Sequence, residues 1–241
     1  MLLNPWLLAL TASLVAAQKS TQAKSYTGWD CCKPICAAAN GNNNLVNSRG
    51  VVKTCDKNNK PMSQSSGIQA GSACMNGNGY LCDNYQPIPV ADDLSYGFAI
   101  QVSSDQREDN SNCCKCYEVL WLSGQAAGKK MVVQIVTPGG SGGPVKKDDL
   151  IILTPGGGVG PLGDAACRGQ YGTKFSWYKG PAQGGLTERS GCEKVPDNLA
   201  AGCYWRFNWA GGDMLGWDIV YNQVTCPARL TSISGCEAKY P

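Results

Sequence analysis

The chain is 241 residues long, carries a formal net charge of +3 and contains no histidine. Its lysines and arginines are scattered apart from short pairs, which argues against nucleic acid as the main partner. The missing histidine excludes Ser-His-Asp triads, Cys-His pairs and HExxH metal sites, so acid–base chemistry near neutral pH falls to carboxylates, tyrosine or lysine.

In chain order, the first segment is mostly apolar from Leu2 to Ala17 and ends in small residues. It reads as a secretory signal peptide over residues 1–17, since a membrane span needs about 20 apolar residues. Residues 18–25 are polar and read as a short flexible lead-in. Residues 26–241 read as one domain, because no linker-like tract interrupts them. Fourteen cysteines fall between Cys31 and Cys236. An even number in a secreted chain predicts seven disulfides. The compact Cys113-Cys114-Lys115-Cys116 has no second CxxC pair to complete a zinc site, and mixed Cys/His sites are excluded. No cofactor or metal is called for. With no Asn-x-Ser/Thr sequon, no N-glycan is expected.

The run Trp29-Asp30-Cys31-Cys32-Lys33-Pro34-Ile35-Cys36 sets a carboxylate against cysteines that would pin it, a posture suited to aiming a proton. Beyond it, thirty glycines and thirteen prolines break the chain into short pieces. The β-branched and apolar runs Gly97–Val102, Cys116–Trp121, Met131–Val136, Leu150–Leu153 and Trp217–Val224 read as strands. Val90–Leu94 and Asp197–Ala201 read as short turns of helix. The coarse picture is a closed β-barrel with long, disulfide-pinned loops.

Two acids, Asp148 and Asp149, precede the Leu150 strand, and Thr154-Pro155-Gly156-Gly157-Gly158-Val159-Gly160 follows it. That loop lacks the Gly-Lys-Ser/Thr ending of a P-loop. Its glycines suit either close backbone approach to a ligand or another chain, or a tight strand exit.

The Trp29–Cys36 run resembles the N-terminal signature of the family-45 glycoside hydrolases, small secreted endo-β-1,4-glucanases. Further matches follow in order: Gly97-Phe98-Ala99, Cys113-Cys114-Lys115-Cys116-Tyr117-Glu118, Gly128–Gln134, Pro155–Gly160, Gly202–Trp209 and Gln223-Val224-Thr225-Cys226-Pro227. The likeness spans about residues 25–236. It implies an all-β fold, a six-stranded double-psi β-barrel with an open groove. It also implies an inverting mechanism, with Asp30 as general base and Asp149 as general acid, the two standing roughly 6.5–9.5 Å apart. Tyr26, Trp29, Lys33 and Gly157 are the expected substrate-side residues, with Lys33 placed to favour an ionised Asp30. The pairing implied is 31–167, 32–74, 36–113, 55–82, 114–236, 116–226 and 192–203. A monomer acting on β-glucan follows, without membrane or nucleic-acid partners.

The sequence departs from the family pattern in places. Gly28 stands where many fungal members have tyrosine, Ala38 replaces a groove tryptophan, and Gly139-Gly140-Ser141 replaces a loop that often carries an acid. The family usually has four residues from acid to loop proline, whereas Asp149 is six before Pro155. An ungapped match would put Ile151 at the acid position and imply a dead enzyme. A short insertion instead keeps Asp149-Leu150 as the family's Asp-Leu pair, with Asp148 as fallback. The other readings are a non-hydrolytic, expansin-like wall-loosening or carbohydrate-binding protein, and a defence-type protein on a related barrel.

Overall fold

The computed structural model describes residues 20–38, 48–103, 110–139, 144–172 and 185–238. The segment read as a signal peptide, residues 1–17, and positions 140 and 141 of the Gly139-Gly140-Ser141 loop lie outside them. Nine strands are present: β1 Thr21–Gly28, β2 Ser48–Arg49, β3 Ile88–Pro89, β4 Leu94–Gln101, β5 Cys116–Trp121, β6 Lys130–Pro138, β7 Leu150–Leu153, β8 Trp217–Val224 and β9 Glu237–Ala238. Six of them close a barrel in the order β4-β6-β5-β8-β1-β7 and back to β4, while β3 flanks β4 and β2 pairs with β9 apart from it. Two neighbours are parallel, β1 with β7 and β4 with β6; the other contacts are antiparallel. This is the expected six-stranded double-psi β-barrel.

The five strands read from the sequence are all present. One correction concerns residues 21–25. They are not part of a flexible lead-in but open β1, pairing with β8 from Thr21↔Tyr221 to Ser25↔Trp217. Their polarity follows from position: the outward residues of this stretch, Gln22 and Lys24, are exposed, so only alternate positions are apolar or small. Val90–Leu94 is not helical; it is the bend between β3 and β4, closed by the Val90 and Ala91 amides donating to the Leu94 carbonyl. Asp197 begins a longer helix than expected, α3 Asp197–Asn208, counted after α1 Gln64–Gln69 and α2 Gly163–Tyr171; α4 Ala228–Ser234 follows.

The core has two parts. Alternate residues fill the barrel lumen, among them Val119, Trp121, Met131, Val133, Ile135, Leu150, Ile152, Ile219 and Tyr221. The opposite faces of the same strands pack under the loops, where Trp29, Tyr85, Phe98, Val132, Val136 and Leu153 gather with most of the cystines. β6 is buried on both faces along most of its length, which accounts for its apolar run, broken only by the buried Gln134 between Met131 and Val136. All seven disulfides have the expected pairing.

Candidate active site

Asp30 lies just past the end of β1. The strand's path is extended by the Trp29 amide, which donates to the Gly158 carbonyl at 2.7 Å. Cys31 then adopts a left-handed φ of 60°, unusual for a residue with a side chain, and turns the chain sharply. Three disulfides hold this turn, from Cys31 to Cys167 on α2, from Cys32 to Cys74, and from Cys36 to Cys113. The first residue of α2 has to be glycine, because a Cβ at Gly163 would lie 2.7 Å from the Asp30 carbonyl oxygen and 3.0 Å from its Cβ. Asp30 itself accepts the Cys32 amide proton through Oδ1 at 2.9 Å. It keeps part of its surface in solvent, yet protein packs closely around the carboxyl group. That desolvation raises its pKa to about 6, against the lowering effect of the Cys32 hydrogen bond.

The glycine loop is shaped from both sides. A Cβ at Gly157 would stand 2.8 Å from the Gly28 amide nitrogen and 2.9 Å from the Thr154 carbonyl, so this glycine exists to let the loop lie against β1. From beneath, the buried Arg206 donates through Nη1 to the Gly156 carbonyl at 3.1 Å, and the Leu186 amide donates to the same oxygen at 2.7 Å. Burial lowers the Arg206 pKa to about 10, which leaves it charged. Arg206 sits in the Gly202–Trp209 motif, but nothing in that motif shows which loop its side chain reaches.

Of the substrate-side candidates, only Tyr26 remains outward and partly open; its hydroxyl lies 3.5 Å from the Pro144 carbonyl. Trp29 is fully buried in the core and Gly157 is buried against β1. Lys33 is also buried, and its ammonium donates to the Ile68 and Ala70 carbonyls at 3.0 and 2.7 Å. It is therefore committed to the α1 end of the loop layer and does not face Asp30.

Asp149 is the larger correction. Its Oδ1 accepts the Lys24 amide at 2.8 Å and its Oδ2 the Lys146 amide at 2.7 Å, and the residue is 4% exposed. Lys24 belongs to the early part of β1, whereas Asp30 follows its end. Five residues of extended chain separate the Lys24 and Trp29 amides, about 16 Å at strand rise. The two carboxylates therefore stand at opposite ends of the β1–β7 seam, beyond the roughly 6.5–9.5 Å of an inverting pair. Asp148 offers no substitute. It lies one residue further back in a left-handed turn with φ 70°, where its carbonyl accepts the Tyr221 hydroxyl at 2.9 Å.

The register of β7 on β1 runs Ser25↔Leu150, Tyr26↔Ile151, Thr27↔Ile152 and Gly28↔Leu153; beyond residues 154–157, which have no partner on β1 in this ladder, Gly28 also bridges Gly158. Leu150 and Ile152 fill the lumen, so Ile151 faces outward between Asp149 and Leu153. Its Cγ2 is 2.8 Å from where a Gly28 Cβ would be. Ile151, the acid position of the ungapped match, thus faces outward opposite Tyr26, one outward position nearer Asp30 than Asp149.

Comparison with known proteins agrees with the barrel. Residues 20–237 match the profile of Glycosyl hydrolase family 45. The chain belongs to that family. Relatives named as endoglucanases include one of the springtail Cryptopygus antarcticus, 32% identical over 209 residues that make up 86% of this chain and 85% of the relative. Another, of the beetle Phaedon cochleariae, is 35% identical over 208 residues, 86% and 81% of the two chains. A Fusarium oxysporum protein named as a type K endoglucanase is 38% identical over 232 residues; these are 96% of this chain but only 57% of that longer protein. The crystal structure of the Cryptopygus antarcticus cellulase superposes with a TM-score of 0.75 at 31% identity, covering 91% of this chain and 98% of the other.

Proposed function

We propose that this family-45 glycoside hydrolase is an endo-β-1,4-glucanase that cuts internal bonds of cellulose and related β-glucans with inversion, Asp30 serving as general base. The observation that carries the reading is the construction around Asp30. A partly open carboxylate follows a barrel strand, is aimed by a strained turn, and is fixed by three disulfides within six residues. Such a group is held against recoil while it takes a proton from water attacking the anomeric carbon. Its raised pKa sets the working range: Asp30 is protonated below about 6 and available as a base above it. The proposal extends to a secreted monomer. Among the described residues no helix is long and apolar enough to cross a membrane.

The proton-donor role is not given to Asp149, which lies at the far end of the seam with each oxygen already accepting a backbone amide. The non-hydrolytic, expansin-like alternative draws on one observation, the isoleucine at position 151. Release of reducing ends from carboxymethyl cellulose, with product anomers followed by NMR, separates the two. The glucanase reading predicts α-anomer release by the wild type and at least about a 100-fold loss in Asp30→Asn. Binding to β-glucan without any release under all conditions would contradict it.

A further inference from the structure

The outward face of β7 presents Asp149, Ile151 and Leu153 in turn, beside an outward face of β1 that presents Lys24, Tyr26 and Gly28 and leads to Asp30. Ile151 is opposite Tyr26 but leans along the seam, since its Cγ2 occupies the space a Gly28 side chain would need. Asp30 is two residues beyond Gly28, about 6.6 Å at strand rise. A functional group on the Ile151 side chain therefore falls in the roughly 6.5–9.5 Å window that an inverting hydrolase requires between its base and its acid. The acid preceding it on that face is turned into the Lys146–Asp149 backbone. The acid nearest Asp30 on α2, Asp164, instead accepts the Arg168 guanidinium at 2.9 Å along its own helix.

We infer that Ile151 fills the place of the proton donor, so that no side chain among the described residues serves as general acid when the glycosidic bond breaks. The inference rests on the glucanase reading and deepens it. In the step, the oxygen of the attacking water bonds to the anomeric carbon while Asp30 takes one of its protons. The bond from that carbon to the leaving O4 breaks, and its electron pair goes to O4. A second water from solvent gives O4 its proton, and the hydroxide left behind is neutralised by the proton that Asp30 releases. One water is consumed and Asp30 is restored. Cleavage is then slow where the leaving oxygen is basic, as in a sugar, and fast where it is acidic and needs no proton.

The test uses the full chain and two kinds of substrate, 2,4-dinitrophenyl β-cellobioside, whose leaving group needs no acid, and cello-oligosaccharides, whose leaving group does. The wild type is expected to turn over the aryl substrate readily and the oligosaccharides poorly. Ile151→Asp should raise kcat on oligosaccharides by about 100-fold or more while changing the aryl substrate by no more than about threefold. It should also add a falling alkaline limb to the kcat–pH profile. Ile151→Asn, polar but without a proton to give, should show neither effect. A folded Ile151→Asp variant with no selective gain overturns the inference. So does a wild-type rate that is insensitive to leaving-group acidity, because that requires a donor elsewhere in the protein; this arm stands even if the variants fold poorly. If no form of the protein binds or cleaves either substrate, the glucanase reading itself fails, whereas aryl cleavage without the selective gain defeats only the inference about position 151.

Discussion

Asp30 and Asp149 face outward from the same pair of parallel strands, yet they are held by different means for different ends. Asp30 comes after a strand, in a strained turn fixed covalently, with a carboxyl group that pays for its burial by a pKa near 6. Asp149 comes before a strand, with both oxygens accepting backbone amides from Lys24 and Lys146. The first is a group that structure holds in place; the second is a group that holds structure in place. What separates them is which end of the seam each occupies, a fact that residue type alone does not carry.

Removing the covalent anchor should have the largest effect. The Cys31–Cys167 bridge closes a separation of 136 residues, so Cys31→Ser with Cys167→Ser is expected to lose about 4–5 kcal/mol of stability in denaturant unfolding, with kcat falling alongside as Asp30 loses its aim. A comparable loss on removing Cys192–Cys203, which spans only 11 residues, would blunt the contrast.

The pH dependence of stability comes next. Asp30 has a folded pKa of about 6 against an ordinary 3.8, so the folded state holds its proton more tightly than the unfolded state does. The carboxyl group is therefore neutral and without penalty below about pH 4, progressively costly between 4 and 6, and fully costly above 6, at up to about 3 kcal/mol. Asp30→Asn should unfold at a higher temperature than the wild type at pH 7–8, and the difference should vanish near pH 4. A wild type that gains stability through Asp30 as pH rises would contradict the burial.

Asp149→Asn should do the opposite. An amide in place of the carboxylate turns a donor toward one of the two backbone amides and leaves it unpaired, a loss of about 2 kcal/mol at pH 7 by urea unfolding. The smallest effect sharpens the register itself. Gly28→Ala pushes a methyl group into the Ile151 Cγ2, and Ile151→Ala removes that carbon, so the double variant should be more stable than the sum of the singles by about 1 kcal/mol.

Much of this architecture was legible because its determinants are local or pairwise. β-Branched runs bounded by glycine and proline gave five barrel strands, and the cysteine order with the family likeness gave every bridge. β1 was missed because its first half is polar, a consequence of its exposed outward residues. α2 was missed because Gly163-Asp164-Ala165-Ala166-Cys167 has little apolar periodicity; it is specified by the Cys31 bridge and by the close approach at Gly163. Trp29 is expected on the substrate side, but its indole is fully buried in the cystine-rich cluster under the loops while Asp30 keeps part of its surface in solvent. Asp149-Leu150 looked like the family's Asp-Leu pair because identity in a motif is conspicuous, whereas strand register is not. Here the ladder from Ser25↔Leu150 to Gly28↔Leu153 sets the register and puts Ile151 opposite Tyr26.

The division between the two carboxylates is tested most directly by kcat on a soluble β-glucan for Asp30→Asn and Asp149→Asn, each measured well below its own unfolding temperature. The expected result is a loss of at least about 100-fold for Asp30→Asn and a value within about threefold of wild type for Asp149→Asn. Equal, large losses in two folded variants would return Asp149 to the chemistry and contradict the account.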